Sequence, residues 1–123
     1  MNFPDELQYT PEHVWVETDG DTAKIGITEY VQDQLGDVMY VGLAEAGTEF
    51  TAGEVFTEIE FSETTKEFPC PLSGEVIAVN EELEDSPELI NEDAYAAWIL
   101  ELAITDMSEA DDLLSAGDYE DSL

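Results

Sequence analysis

The chain contains no arginine and only two lysines, Lys24 and Lys66. Against them stand 32 Asp and Glu, for a formal net charge of -30 over 123 residues. So few cations leave almost nothing to neutralise phosphates or release counterions, which argues against nucleic acid and anionic membranes as partners. Apolar runs are short, and none approaches the ~20 residues of a membrane-spanning helix. The opening residues, MNFPDELQYT, have no basic stretch followed by an apolar one, so a signal peptide is not expected there. The single Cys70 excludes an internal disulfide, and a cytoplasmic location is the simple expectation. Catalytic residue types are equally scarce. The one histidine, His13, and Cys70 are far apart in sequence, with no third group to orient a nucleophile. Cys70, between Pro69 and Pro71, reads as a small packed residue, and His13, heading a strand before Trp15, reads as structural. Carboxylates are so common that no acid–base pair stands out. No His/Cys metal spacing is present. The run Glu81-Glu82-Leu83-Glu84-Asp85 lacks the pattern of an EF-hand and suits at most weak Ca²⁺ binding. The eight glycines are dispersed turn residues and form no phosphate cradle.

What is present describes a folded carrier or binding module. A hydrophobic fraction of 43% supports a real core, and the length predicts one domain over residues 1–123. The acids are spread along the whole chain. That distribution favours adaptation to a high-salt cytoplasm, where carboxylates hold water at the surface, over a function that needs one anionic patch.

Taken in order, residues 1–12 read as a lead-in, with Pro4 and Pro11 limiting regular structure. Residues 13–17 alternate and predict a strand. Asp19-Gly20 is a hairpin turn signal, and residues 22–27 return. Thr28 suits an N-cap for a short helix ending at Leu35 before Gly36. Strands are predicted over residues 37–43 and 48–51. Ser86-Pro87 predicts a short helix through about Ile90, and residues 96–103 a last strand. Asp106 with Glu109 predicts a capped C-terminal helix over residues 107–116, anchored by Leu113 and Leu114 and ended by Gly117.

The centre of the chain is Glu54 to Asn80, EVFTEIEFSETTKEFPCPLSGEVIAVN. It reads as strand, tight turn, strand, second turn, strand. Val55, Thr57, Ile59 and Phe61 share one parity. The polar run SETTKE suits a hairpin tip, and Pro69, Pro71 and Gly74 then turn the chain. The expected fold is mainly β, a flattened antiparallel barrel or sandwich with short peripheral helices and a C-terminal helix. The runs GTEFTAGEVFTEIEF and LSGEVIAVNEEL through AWILELA would form its two halves.

Four segments carry a resemblance: LQYTPEHVWVETDGDTAKIGIT, EYVQDQLGDVMYV, PLSGEVIAVNEELEDSPELINED and DMSEADDLLSAGDYEDSL. From about Leu7 to Leu123 the chain resembles the H protein of the glycine cleavage system, a relative of the lipoyl and biotinyl carrier domains. The resemblance implies a lipoyl-domain-like barrel-sandwich hybrid and a carrier role, not an enzyme. In that family lipoate is held in amide linkage on a hairpin-tip lysine. The arm takes an aminomethyl group from glycine decarboxylase to an aminomethyltransferase, dihydrolipoyl dehydrogenase reoxidises it, and a lipoate ligase loads it. The chemistry belongs to the cofactor and the partner enzymes.

The chain departs from the family at that lysine. The family lysine lies eight residues before the Pro of the P-x-S-G turn, and counting back from Pro71 gives Glu63, which has no amine. Lys66 is the nearest alternative attachment point. A register slip of odd length that brought it to the tip would turn Phe61 or Phe68 outward. In the unshifted register Lys66 shares the parity of Phe68 and would have to snorkel outward. Other departures from the family pattern are Val14, Gly42, Ala44 and the shortened loop Ala96-Ala97-Trp98. Two readings stay open: an H protein that carries the aminomethyl group on a lipoyl arm, attached at Lys66, and a paralogue that carries no lipoate and binds or regulates, toward which these clustered differences lean.

Overall fold

The expected alternation at residues 13–17 is overtaken by burial on both faces: Val14 and Val16 enter the main core and Trp15 a second cluster. The structure, a computed structural model, describes residues 3–123. Strands β2 (Val14–Asp19) and β3 (Thr22–Ile27) pair through the turn at Asp19-Gly20, with Asp19 opposite Thr22. Helix α1 (Glu29–Leu35) follows, burying Val31 and packing Leu35 against the core. Strand β4 (Val38–Val41) then leads to the two-residue β5 (Glu49–Phe50) and the hairpin β6 (Val55–Phe61) and β7 (Thr65–Pro69). Strand β8 (Gly74–Val79), helices α2 (Glu82–Asp85) and α3 (Leu89–Glu92), and strand β9 (Leu100–Ile104) complete the sandwich. Strand β1 (Gln8–Tyr9) lies within the expected lead-in and pairs with β2.

The strands form two antiparallel sheets. One has six strands in the order β1-β2-β3-β9-β8-β5, and the other has three in the order β4-β6-β7. The mainly β, sandwich-like expectation is therefore met. The proposed halves are not: β5 pairs with β8 while β6 joins the other sheet, so the first of those runs is divided between the two. Inward side chains of both sheets make the main core, among them Ile25, Ile27, Ile59, Phe68, Leu72, Val76, Leu100 and Leu102. Burying each such side chain contributes on the order of 1.5–3 kcal/mol. A second cluster of Leu7, Tyr9, Trp15, Ala116 and Tyr119 ties the chain's ends together, with Tyr9 and Tyr119 stacked at 4.9 Å.

Several local expectations are corrected. Val55 is exposed, because a bulge between Val55 and Thr57 shifts the pairing and brings both Phe56 and Thr57 inside. Thr28 sits at the N-cap of α1, but its hydroxyl meets the Tyr119 hydroxyl at 2.8 Å and does not cap the helix. Pro87 has no N–H, and Ser86 before it is non-helical, so two one-turn helices flank the pair, burying Leu83 and Ile90. The last strand starts at Leu100, because Ala96 and Ala97 turn back to donate N–H bonds to the Asp93 carbonyl.

The C-terminal helix does not run over residues 107–116. A 3-10 helix covers Met107–Asp112, and α4 covers Ala116–Asp121 with Gly117 inside it. Between them Leu114 is held extended by two backbone hydrogen bonds with Tyr9, at 2.7 and 2.8 Å. Ser115 caps α4 by accepting the Asp118 N–H. Asp106 does cap the 3-10 helix through the Ser108 N–H. Glu109 completes no capping box; its carboxylate accepts from the Ser73 N–H and hydroxyl, pinning the turn before β8.

Trp15 sets a tight constraint on β3. A Cβ on Gly26 would lie 2.6 Å from the indole, whose N–H is committed to the Ala94 carbonyl at 3.1 Å. Gly26→Ala is expected to destabilise the fold by about 1–3 kcal/mol, read as a lower urea midpoint with an unchanged slope. An unchanged midpoint would mean that the indole moves freely.

Candidate functional site

The hairpin tip is Ser62-Glu63-Thr64, closed by the Phe61 N–H donating to the Thr64 carbonyl at 2.7 Å. The rest of the fold braces it from one side. The Ser62 N–H donates to the Asp37 carbonyl at 2.8 Å. Gly36, which ends α1 with φ +90, lies directly under the tip, where any side chain would strike the Ser62 hydroxyl. Asn91 on α3 locks this corner: its Oδ1 accepts the Val38 N–H at 2.7 Å, and its Nδ2 donates to Gln32 Oε1 at 3.1 Å and to the Gly36 carbonyl at 3.4 Å. Nothing in the sequence singles out Asn91, since its three partners come from positions over 50 residues away.

Glu63 stands exposed at the apex. A carboxylate cannot form the amide that lipoate needs, so the apex residue does not fit that group. Lys66 is paired with the fully buried Ile59 and so belongs to the inward side of the hairpin. This is the side that its shared parity with Phe68 indicated. It is half-buried, with its amine 5.8 Å from the centroid of the Phe68 ring.

On that same side lies His13, in the left-handed region at φ 73. Its Nδ1 is 2.6 Å from the Tyr119 hydroxyl, which in turn meets the Thr28 hydroxyl. The Thr28 N–H donates to the His13 carbonyl, and the Tyr30 ring tilts over the imidazole at 4.9 Å. Burial pushes His13 below its ordinary 6.5, the Lys66 charge pushes it the same way, and Glu12 opposes. Burial also raises Tyr119 to about 12, so its hydroxyl stays protonated. Local sequence gives no sign of this group, because residues 13, 28 and 119 meet, and Lys66 comes within electrostatic reach of His13, only in the folded chain.

A depressed His13 fixes the sign of a pH effect. The unfolded chain binds this proton more readily than the folded one. The contribution of neutral His13 is therefore complete above about 6.5 and declines as pH falls through that value toward the lower folded one. His13→Asn keeps a residue tolerant of the left-handed region and is expected to remove that decline. Urea midpoints from pH 8 to 5.5 for the two proteins test this, and parallel curves would contradict it.

The remaining candidates stand apart from the tip. Cys70 is buried, its thiol donates to the Leu72 carbonyl at 3.1 Å, and burial pushes it up to about 11. It is a packed, unreactive thiol with no imidazole partner. Residues 81–85 form a turn and α2, with Leu83 fully buried. Among the described residues no three His, Cys, Asp or Glu gather as metal ligands, and no helix is long and apolar enough to cross a membrane. Of the positions that depart from the family pattern, Val14 and Ala97 are core residues. Gly42 lies where a Cβ would come 3.2 Å from the Glu58 carbonyl.

Comparison with known proteins bears on the whole chain. Residues 7–123 match the family model described as glycine cleavage H-protein. A glycine cleavage system H protein of Geobacillus sp. (strain WCH70) is 48% identical over 122 residues, spanning 98% of this chain and 96% of the relative. A probable glycine cleavage system H protein of Haloarcula marismortui is also 48% identical, over 124 residues, spanning 100% and 98%. The crystal structure of a glycine cleavage system H protein from Mycobacterium marinum superposes with a TM-score of 0.88 at 32% identity, covering 98% of this chain and all of that one. Full-length similarity and the two-sheet sandwich agree: this chain belongs to the glycine cleavage H-protein family, whose members are carriers in that system and not its catalysts.

Proposed function

We propose that the chain is an H-type component of glycine cleavage whose hairpin tip bears no lipoyl arm, and that it acts as a binding or regulatory subunit on the enzymes of that system. One observation carries the reading: the apex of the braced hairpin is Glu63, exposed and without an amine, while the hairpin's one lysine turns its amine inward over Phe68. Family membership supports glycine decarboxylase and aminomethyltransferase as partners. Dihydrolipoyl dehydrogenase and lipoate ligase are the further partners that the resemblance implies.

A second reading rests on Lys66 being partly exposed and the only amine of the hairpin. In it Lys66 takes the lipoate, and the chain carries the aminomethyl group between the two enzymes. The charge of -30 supports placing either version in a high-salt cytoplasm.

Intact mass after co-expression with a lipoate ligase and free lipoate, in high salt, separates the two. The expected result is the unmodified mass. A lipoyl-sized increase mapping to Lys66 would overturn the first reading and establish a displaced attachment point.

A further inference from the structure

The outer face of the three-stranded sheet has a composition that its neighbours do not explain. A bulge between Val38 and Tyr40 turns two successive large side chains outward, leaving Met39 61% and Tyr40 51% exposed. A regular strand would have buried one of them. Val38, beside them, is paired with Phe61, the residue before the tip. Met39 and Tyr40 therefore lie immediately next to the hairpin apex.

The rest of that face is anionic. Glu60 is paired with Tyr40 on one side and Thr65 on the other, and Glu58 lies directly opposite Glu67. All three carboxylates are exposed. Like charges placed directly across a strand pair cost stability. The hairpin's only cation, Lys66, is on the other face with Ile59. The sheet thus keeps two unfavourable features side by side, an exposed apolar pair and an unneutralised trio of acids.

Charge decides what covers it. A second copy would bring the same three carboxylates against these, and nucleic acid or an anionic membrane would add more negative charge. Aromatic and Met side chains are enriched in the buried centres of protein interfaces, with polar groups at the rim. We propose that Met39 and Tyr40 dock into an apolar recess on a protein partner whose lysines or arginines meet Glu58, Glu60 and Glu67. This rests on the reading above, in which the chain still binds an enzyme of glycine cleavage, and it names the surface used.

Binding to purified glycine decarboxylase encoded in the same genome tests it, by calorimetry across a series of KCl concentrations. Met39→Ser with Tyr40→Ser is expected to weaken binding about tenfold or more, the size typical of central interface anchors. Ile77→Ser, at another exposed apolar residue (45% exposed), should leave it unchanged. Glu58→Gln with Glu60→Gln should flatten the salt dependence. Circular dichroism of each variant separates lost binding from lost folding. Equal affinity of the unaltered chain and the Met39/Tyr40 variant would overturn the docking face while the functional reading stood. An unaltered chain with no affinity for the decarboxylase would overturn that reading and the face together. Association of the free chain into dimers, lost in the Met39/Tyr40 variant, would assign the face to a second copy.

Discussion

Glu63→Lys is expected to convert a chain that stays unmodified into one that gains a lipoyl-sized mass at residue 63. The change should be all or none, because a carboxylate offers no nitrogen for the amide and a lysine does. Everything else at the apex is in place. The tip is closed by its own hydrogen bond, held to Asp37, and braced by Gly36 and Asn91. Glu63 is exposed, and a surface substitution of this kind shifts stability by no more than about 0.5 kcal/mol. Glu63→Arg serves as the control, since it supplies a cation that a ligase cannot acylate. Peptide mapping after co-expression with a lipoate ligase reads the result. A folded Glu63→Lys protein that remained unmodified would mean that residues around the tip have also lost ligase recognition.

Withdrawing salt is expected to unfold the protein cooperatively. At ~1 M salt the screening length is ~3 Å, shorter than most separations between surface charges; at ~0.01 M it is ~30 Å and spans the molecule. With a formal charge of -30, every carboxylate then repels the others across the whole fold. Two pairs are placed directly opposite one another on adjacent strands, Glu58 with Glu67 and Glu49 with Glu75. The lysines provide little relief: there are two against 32 acids, and Lys24 already lies between Glu17 and Glu101 on the neighbouring strands. Tryptophan fluorescence reports the transition, because Trp15 is buried. Dialysis from 2 M KCl to 0.05 M should lose the native signal, and returning the salt should restore it. Sucrose at low salt strengthens burial without screening charge and should rescue the fold poorly. A melting temperature that held constant across this range would show that the acids are not a strain on the fold.

Features encoded within a few residues were legible in the sequence. Asp19-Gly20 marked one hairpin and SETTKE another, because a turn with a polar tip between alternating strands leaves a local pattern. The family resemblance, by its spacing back from Pro71, pointed to Glu63, and the structure places Glu63 in the hairpin tip. Features set by distant partners were not legible. The bulges at Val55 and Met39 depend on how the neighbouring strand is paired, and sequence parity alone assigns such residues to the wrong face. The C-terminal helix moved because Leu114 is claimed by the backbone of Tyr9, more than 100 residues away. The inward parity of Lys66 was legible, but its nearness to His13 is built by the fold and not by its neighbours in the chain.

The position of β9 governs when this protein can become a protein at all. It lies between β3 and β8, paired to both, so the larger sheet remains two fragments until residues 100–104 have been synthesised. A growing chain on the ribosome therefore carries one raw strand edge once β3 is made and a second once β8 ends at Val79, and both wait for β9, the condition under which nascent chains join to one another. The carboxylates that strain the finished fold have an earlier use here: chains this strongly like-charged keep their distance while they wait for their last strand.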